Sequence, residues 1–392
     1  MSAMEHIAKL AREIGPRGST TEAEKRAAEY AAEVLQSCGL DPQTSPFASA
    51  RSAWYPFALF SALMLVASAA FLLGGDMPSL VALALGAVSV ASVLLELAFR
   101  PNPLRWLLPR AESQNVSARI PARDGGRRKV VLVGHLDTHR TPKVFSSDAW
   151  LRVFRVLIPL GLAASLVLLA MFAAGVVIGE GPWRWLALVP GLFLVGILAA
   201  SLQADLTPFT EGANDNASGV GIVLSLAEEL AASPLREIEV WVVLTGCEEV
   251  GCYGADAFLQ HHKDELSEAY WLSLDDVGGE GTMLRYLSKE TFLLNTHSDP
   301  ELLQIANSIA TDRPELKARA HRFRGAYTEG AIGAKHGLRV LTLIATRPNG
   351  AVPDWHRPTD VLERVGEEAI DRCEAFVKEL LARIDAARAD IA

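Results

Sequence analysis

Four stretches of the chain, residues 53–74, 80–99, 156–178 and 185–202, are apolar all round rather than along one face. Each runs about 18 to 23 residues with almost no charge, enough for a helix to cross a hydrocarbon core of about 30 Å. They pair as two hairpins, closed by GGDMPS and GEGPWR. Core helices of a large soluble domain would share the pattern. However, Trp54, Tyr55, Trp106, Trp150, Trp183 and Trp185 crowd the ends of the runs, where amphipathic rings favour a membrane–water interface.

Elsewhere the pattern alternates between helical and strand periods. MSAMEHIAKLAREIG reads as an amphipathic helix, and TTEAEKRAAEYAAEVLQSCG as a helix stopped by Gly39. NVSARI, the turn ARDGGRR and the buried run KVVLVGH follow. NASGVGIVLSLAEELAAS predicts a helix, then IEVWVVLT, AYWLSLD and LRVLTLI predict strands, and LERVGEEAIDRCEAFVKELLARIDAARAD closes the chain as a helix. Continuously apolar strands separated by helices predict an α/β fold, a mainly parallel (mixed) sheet with helices on both faces. One such domain is assembled from residues 1–52, 100–152 and 204–392, with the four membrane helices inserted as hairpins at 53–99 and 153–203.

Composition supports the membrane reading: half the residues are hydrophobic (50%) and the mean hydropathy is positive. Arg51, Arg100, Arg105, Arg110, Arg152 and Arg155 flank one side of the runs, whereas the hairpin turns hold only Arg184. The positive-inside rule then predicts a multi-pass protein of a bacterial-type inner membrane, with both termini and the α/β domain cytoplasmic. The start of the chain has no signal-peptide pattern, and the flanking arginines suit anionic headgroups of the bilayer. A net charge of −9 gives no basic footprint, so nucleic acid is not an expected partner. Cys38, Cys247, Cys252 and Cys373 follow no metal or disulfide spacing and read as small thiols in a reducing compartment.

In open α/β sheets ligands gather at the carboxyl ends of the strands. KVVLVGH delivers His135 and, two residues on, Asp137; the loop EGANDNASG delivers Asp215; IEVWVVLT leads to Glu248 and Glu249; AYWLSLD ends at Asp275, beside Asp276; and the loop after LRVLTLI carries His356. Singly, each has a plain structural reading: a helix cap, a solvated acidic turn, a loop histidine. Together they form a set that suits zinc, which combines imidazole with carboxylate and keeps an open position when catalytic. The HxD spacing adds a carboxylate able to orient a ligating imidazole. One carboxylate shared by two ions would hold them about 3.5 to 4 Å apart, and an unligated carboxylate beside them could carry a proton.

GPRGSTTEAEKRAAEYAAEVLQSCGL, NVSARI, GHLDTH, NDNASGV, CEEVGCYGA, LDDVGG and DWHRPTDVLERV, in that order, resemble the co-catalytic zinc aminopeptidase family, which also includes glutamate carboxypeptidase and the one-zinc glutaminyl cyclases. The resemblance implies two zinc ions per chain. Asp215 would bridge them, His135 and Asp275 would complete one site, and Glu249 and His356 the other. Glu248 would be the general base and Asp137 would orient His135; a cis peptide is expected between Asp215 and Asn216. Aligning LDDVGG on the family's Leu-Asp-x-Val/Ile-Gly selects Asp275 over Asp276.

The chain also departs from the family. Thr328, Glu329 and Gly330 stand where many relatives have a Ser-Asp-His stretch bordering the substrate pocket, so specificity does not carry over. Tyr327 reads as an oxyanion donor or a packed loop residue, and His139 and Arg140 as substrate or membrane contacts. Membrane hairpins are not a usual family feature. The implied function is a membrane-integrated zinc metallopeptidase, aminopeptidase-like, hydrolysing peptide bonds with a metal-bridged water and a glutamate base. Two alternatives stay open: an amidase acting on amphipathic substrates, lipid-linked or N-acyl amino acids, and a peptide-binding scaffold. A transporter is disfavoured because the spans hold almost no ionisable residue at mid-depth, Glu96 being near an end.

Overall fold

The computed structural model describes residues 1–126, 128–179 and 181–387. Arg127 of the ARDGGRR turn, Glu180 of the second hairpin turn and residues 388–392 of the closing stretch lie outside them. The chain divides into two compact units: Met1–Arg51, Ala111–Arg140 and Phe209–Ala392 form the first, and Ser52–Arg110 with Thr141–Pro208 the second.

The first unit is built on a nine-stranded sheet. Its strands are β1 (Gln43–Ala50), β2 (Arg110–Ile120), β3 (Arg128–His135), β4 (Ile238–Thr245), β5 (Tyr270–Leu274), β6 (Met283–Thr291), β7 (Asn295–His297), β8 (Arg319–Arg324) and β9 (Arg339–Thr346). They run in the order β1-β2-β4-β3-β5-β9-β6-β7, with β8 paired to β6. The middle is parallel, β4 on β3, β3 on β5 and β5 on β9, whereas β2 joins β4 and β6 joins β9 antiparallel. Because successive side chains point to opposite faces, the apolar run of β3 divides itself. Val130 and Leu132 join Val240, Val242 and Leu244 under helices Glu22–Ser37, Gly219–Ala232 and Glu367–Ala386. Val131 and Val133 join Trp241, Val243 and Trp271 under helices Tyr253–His262 and Glu329–Lys335. Burial on both faces is why these strands read as unbroken apolar runs.

Several elements differ from the sequence reading. NASG does not begin a regular helix: Ala213–Ser218 is a π turn with non-helical dihedrals at Asp215 and Asn216, and the helix starts at Gly219. The closing helix starts at Glu367, because the Leu362–Arg364 segment is tied to another loop; Glu280 N–H donates to Arg364 and Gly366 N–H to Gly278. β1, β6, β7, β8 and the helices Tyr253–His262, Pro300–Asp312 and Glu329–Lys335 had no sequence counterpart in the reading above. Edge strands such as β8, RAHRFR, carry arginines instead of an apolar run, which suits an exposed edge.

Among the described residues, the second unit holds four helices long and apolar enough to cross a membrane: Tyr55–Leu73, Asp76–Leu97, Asp148–Ile178 and Pro182–Asp205, the last opening as a 3-10 turn over Pro182–Ala187. Its interior is lined by small residues, as expected where helices must approach closely without a hydrophobic drive. Ser61, Ser68, Ser89 and Ser165 are buried, and Ser89 donates across to the Phe60 carbonyl. Gly86 and Gly175 make room for a pair of mutually tilted phenylalanines: a Cβ on Gly175 would lie 2.4 Å from the Phe71 ring, and Phe71 meets Phe172 at 5.2 Å. Large apolar side chains such as Leu73, Val177, Val189 and Leu192 point outward.

Candidate metal centre

The parallel register sets the carboxyl ends of the central strands level, with His135 opposite Thr245 and Leu274 opposite Leu343. The helix after Asp215 comes very close to them. A Cβ on Gly219 would sit 2.3 Å from the Leu274 carbonyl, so only glycine permits this approach. The peptide between Asp215 and Asn216 is cis.

His135, Asp215 and Asp275 converge at this edge: His135 Nε2 lies 3.3 Å from Asp215 Oδ1 and 3.5 Å from Asp275 Oδ1. The second oxygen of Asp215 faces the other histidine, His356, with Nε2 at 3.3 Å from Asp215 Oδ2 and 3.3 Å from Glu249 Oε2. Asp215 therefore lies between two groups of donors. Asp276 turns elsewhere and accepts from Asn214 Nδ2. His135 Nδ1 is 3.1 Å from the main-chain oxygen of Asp137 and 3.5 Å from its carboxylate. That carboxylate has its own donors: the main-chain N–H groups of Glu248 and Glu249 and the Ser19 hydroxyl. Asp137 thus pins the paired-glutamate turn as well as lying beside the imidazole.

Glu248 Oε1 accepts from the Cys252 thiol at 3.1 Å. Burial, reinforced by the charges of Glu249, Asp275 and Asp137, pushes the Glu248 carboxyl well above its usual range. Burial and then Asp215 push Glu249 to about 8. For His356, burial opposes charge, but Glu249 and Asp215 outweigh it and raise the imidazole to about 9. His135 is likewise raised against its burial, by Asp137, Asp215 and Asp275. These shifts describe an excess of buried carboxylate short of positive charge. In addition, Glu249 Oε1 is buried with no hydrogen-bond partner among the described residues. Divalent cations held by imidazole and carboxylate would supply what the donor set lacks.

Several supporting residues were not singled out by the sequence reading. Glu24, fully buried, accepts from Cys247 N–H, Thr20 N–H and the Ser113 hydroxyl, fixing the turn from behind. Asp360 accepts from the N–H groups of Asn214 and Asp215. The buried Arg17 guanidinium donates to the carbonyls of Leu10, Gly15, Leu136, Glu211 and Gly212, tying the N-terminal loop to two loops of the site. Most of these partners are distant in sequence, such as Cys247 for Glu24, Asn214 for Asp360 and Gly212 for Arg17. Tyr327 packs against the apolar cluster beneath the sheet. His139 lies flat on His356, ring centroids 3.6 Å apart and 12° from parallel, while Arg140 sits over the Phe209 ring.

The fold is shared with zinc aminopeptidases and glutaminyl cyclases of known structure. Residues 201–381 match peptidase family M28, a stretch that includes Asp215, Glu248, Glu249, Asp275 and His356. Among curated proteins, the chain is 30% identical over 157 residues to the alkaline phosphatase isozyme conversion protein of Escherichia coli K12, covering 38% of this chain and 45% of that protein. It is 36% identical over 72 residues to aminopeptidase YwaD of Bacillus subtilis 168, covering 18% of this chain and 15% of that one. The chain thus spans less than half the length of these curated relatives. Solved structures of the same fold include a zinc aminopeptidase from Bacillus subtilis, with a TM-score of 0.58 at 15% identity over 98% of this chain and 96% of that one. A Bacteroides thetaiotaomicron glutaminyl cyclase bound to N-acetylhistamine matches with a TM-score of 0.58 at 14% identity over 99% and 97%.

Proposed function

We propose that the chain is a membrane-integrated zinc metallopeptidase of aminopeptidase type, with its metal centre on the cytoplasmic side. The observation that carries this reading is Asp215, whose two oxygens face different donor groups 3.3 Å away on either side. In this reading His135, Asp215 and Asp275 hold one zinc ion, Asp215, Glu249 and His356 the other, and Asp215 is shared. Bound zinc supplies Lewis-acid polarisation of the scissile carbonyl and of a water. Glu248, its Oε1 held by Cys252, takes the water's proton at Oε2 and returns it to the leaving amine. Asp137 fixes where that carboxylate starts, by anchoring the N–H groups of Glu248 and Glu249.

The full set of ligands for two ions favours hydrolysis over the cyclisation chemistry of the one-zinc relatives. The test is zinc content beside activity: purified protein in detergent should carry about two zinc ions and hydrolyse aminoacyl-naphthylamides, and Asp215→Ala should lose both metal and activity. Two retained zinc ions in that variant would sink the bridging role. A second reading is favoured by the four apolar helices: an amidase for lipid-linked or N-acyl amino acids. Turnover of N-acyl amino acids without any turnover of aminoacyl-naphthylamides would select it. Metal binding without hydrolysis of either class would select the peptide-binding scaffold.

A further inference from the structure

His139 follows the HxD motif by two residues, and its ligand atom lies within 4.8 Å of those of Glu249 and His356. Proximity alone would make it a further ligand. The ring geometry argues otherwise. An imidazole binds zinc at about 2.0 to 2.1 Å with the metal in the ring plane. Two rings 3.6 Å apart and 12° from parallel have planes that meet only about 17 Å away, far outside that bonding distance. One ion cannot lie in both planes.

The surroundings of His139 show what fixes it instead. Its Nδ1 is 2.6 Å from the Arg140 carbonyl, and its own carbonyl accepts from Thr210 N–H. Arg140 and Phe209 form an antiparallel bridge, with the Arg140 guanidinium 4.2 Å above the Phe209 ring. That ring in turn fills the space over Gly18, where a Cβ would meet it at 2.2 Å. The His139 ring is thus a fixed wall. Against it lies His356, which sits in a loop at φ 53°, flanked on the chain by Trp355, whose ring is 4.5 Å from it.

We propose that His139 is a positioning residue for the metal centre: its anchored ring stacks on His356 and sets that ligand's plane, without binding the ion itself. The proposal rests on the reading of His356 as a ligand. Supporting groups around a metal ligand are typically worth 10- to 100-fold in metal affinity. Stacking needs a flat ring but no nitrogen, which separates it from ligation.

The experiment compares wild type, His139→Ala, His139→Phe and His356→Ala as full-length protein in detergent. It measures zinc dissociation constants by chelator competition and the visible spectrum of the cobalt-substituted forms, with thermal unfolding in EDTA as the check on folding. His139→Ala should weaken the ion that His356→Ala releases by about 10- to 100-fold and alter its cobalt spectrum. His139→Phe should restore both to within about threefold of wild type. A phenylalanine variant as impaired as the alanine one would overturn the proposal in favour of ligation. Wild-type affinity and spectrum in His139→Ala would overturn it too, as an idle contact. A wild-type chain binding one ion would sink the two-metal reading alone, since the variants are still ranked on the ion tied to His356. If His356→Ala releases none, the stacking proposal fails with it.

Discussion

Glu248 and Glu249 are neighbours on the chain with unlike surroundings. Glu249 faces His356 and leaves one oxygen buried and unpartnered, whereas Glu248 is held by a thiol, a weak donor that leaves it polarisable and movable. We expect Glu248→Gln to retain its zinc while kcat falls by about 10²- to 10⁴-fold, the usual worth of general-base catalysis. Metal analysis beside steady-state kinetics checks it, and full activity would remove Glu248 from the mechanism. Which of two adjacent glutamates meets His356 is a matter of turn geometry: Cys247 and Cys252 bracket the pair with positive φ.

At the scale of elements, the paired-glutamate turn is clamped by two carboxylates, Asp137 on the N–H groups of Glu248 and Glu249 and Glu24 on that of Cys247. Burial, with the nearby Asp137 charge, raises the Glu24 carboxyl from 4.5 to about 8. Between those values the folded protein keeps a proton that the unfolded chain has released. Stability from this group is therefore present below pH 4.5 and declines as pH rises towards about 8. Glu24→Gln should abolish its share of that decline, giving a flatter stability curve over this range in thermal unfolding of EDTA-treated protein. In the second unit the Gly175 and Phe71 contact sets helix spacing. Gly175→Leu should overpack it by about 1 to 3 kcal/mol, lowering the unfolding temperature in detergent; an unchanged midpoint would show that the helices can shift apart.

For the whole molecule, the arginines flanking the apolar helices predict one orientation. Single cysteines introduced at Gly75 and at Arg51, in a background lacking the native four, should be labelled by a membrane-impermeant maleimide from opposite sides. Gly75 should react in intact cells and Arg51 only after permeabilisation, and the reverse pattern would invert the proposed topology. Much of the molecule was legible in the sequence because unbroken apolar runs report burial directly: β3, β4, β5 and β9 and the four long helices were read that way. The edge strands were not, since β1 is mixed and β8 is arginine-rich. The supporting residues escaped for another reason. A buried carboxylate such as Glu24 looks like any helix-surface glutamate until its partners, Cys247 among them, are brought beside it.

The sequence by itself determined the type of each central element, the four apolar helices and the order in which candidate donors arrive, because periodicity and residue chemistry are local. Tertiary structure decided which donors face one another. It placed Asp215 between His135 and His356, turned Asp276 towards Asn214 and laid His139 flat on His356. Those outcomes depend on strand register, on the close seating that Gly219 permits and on turn geometry, which couple residues far apart in the chain and leave little local trace.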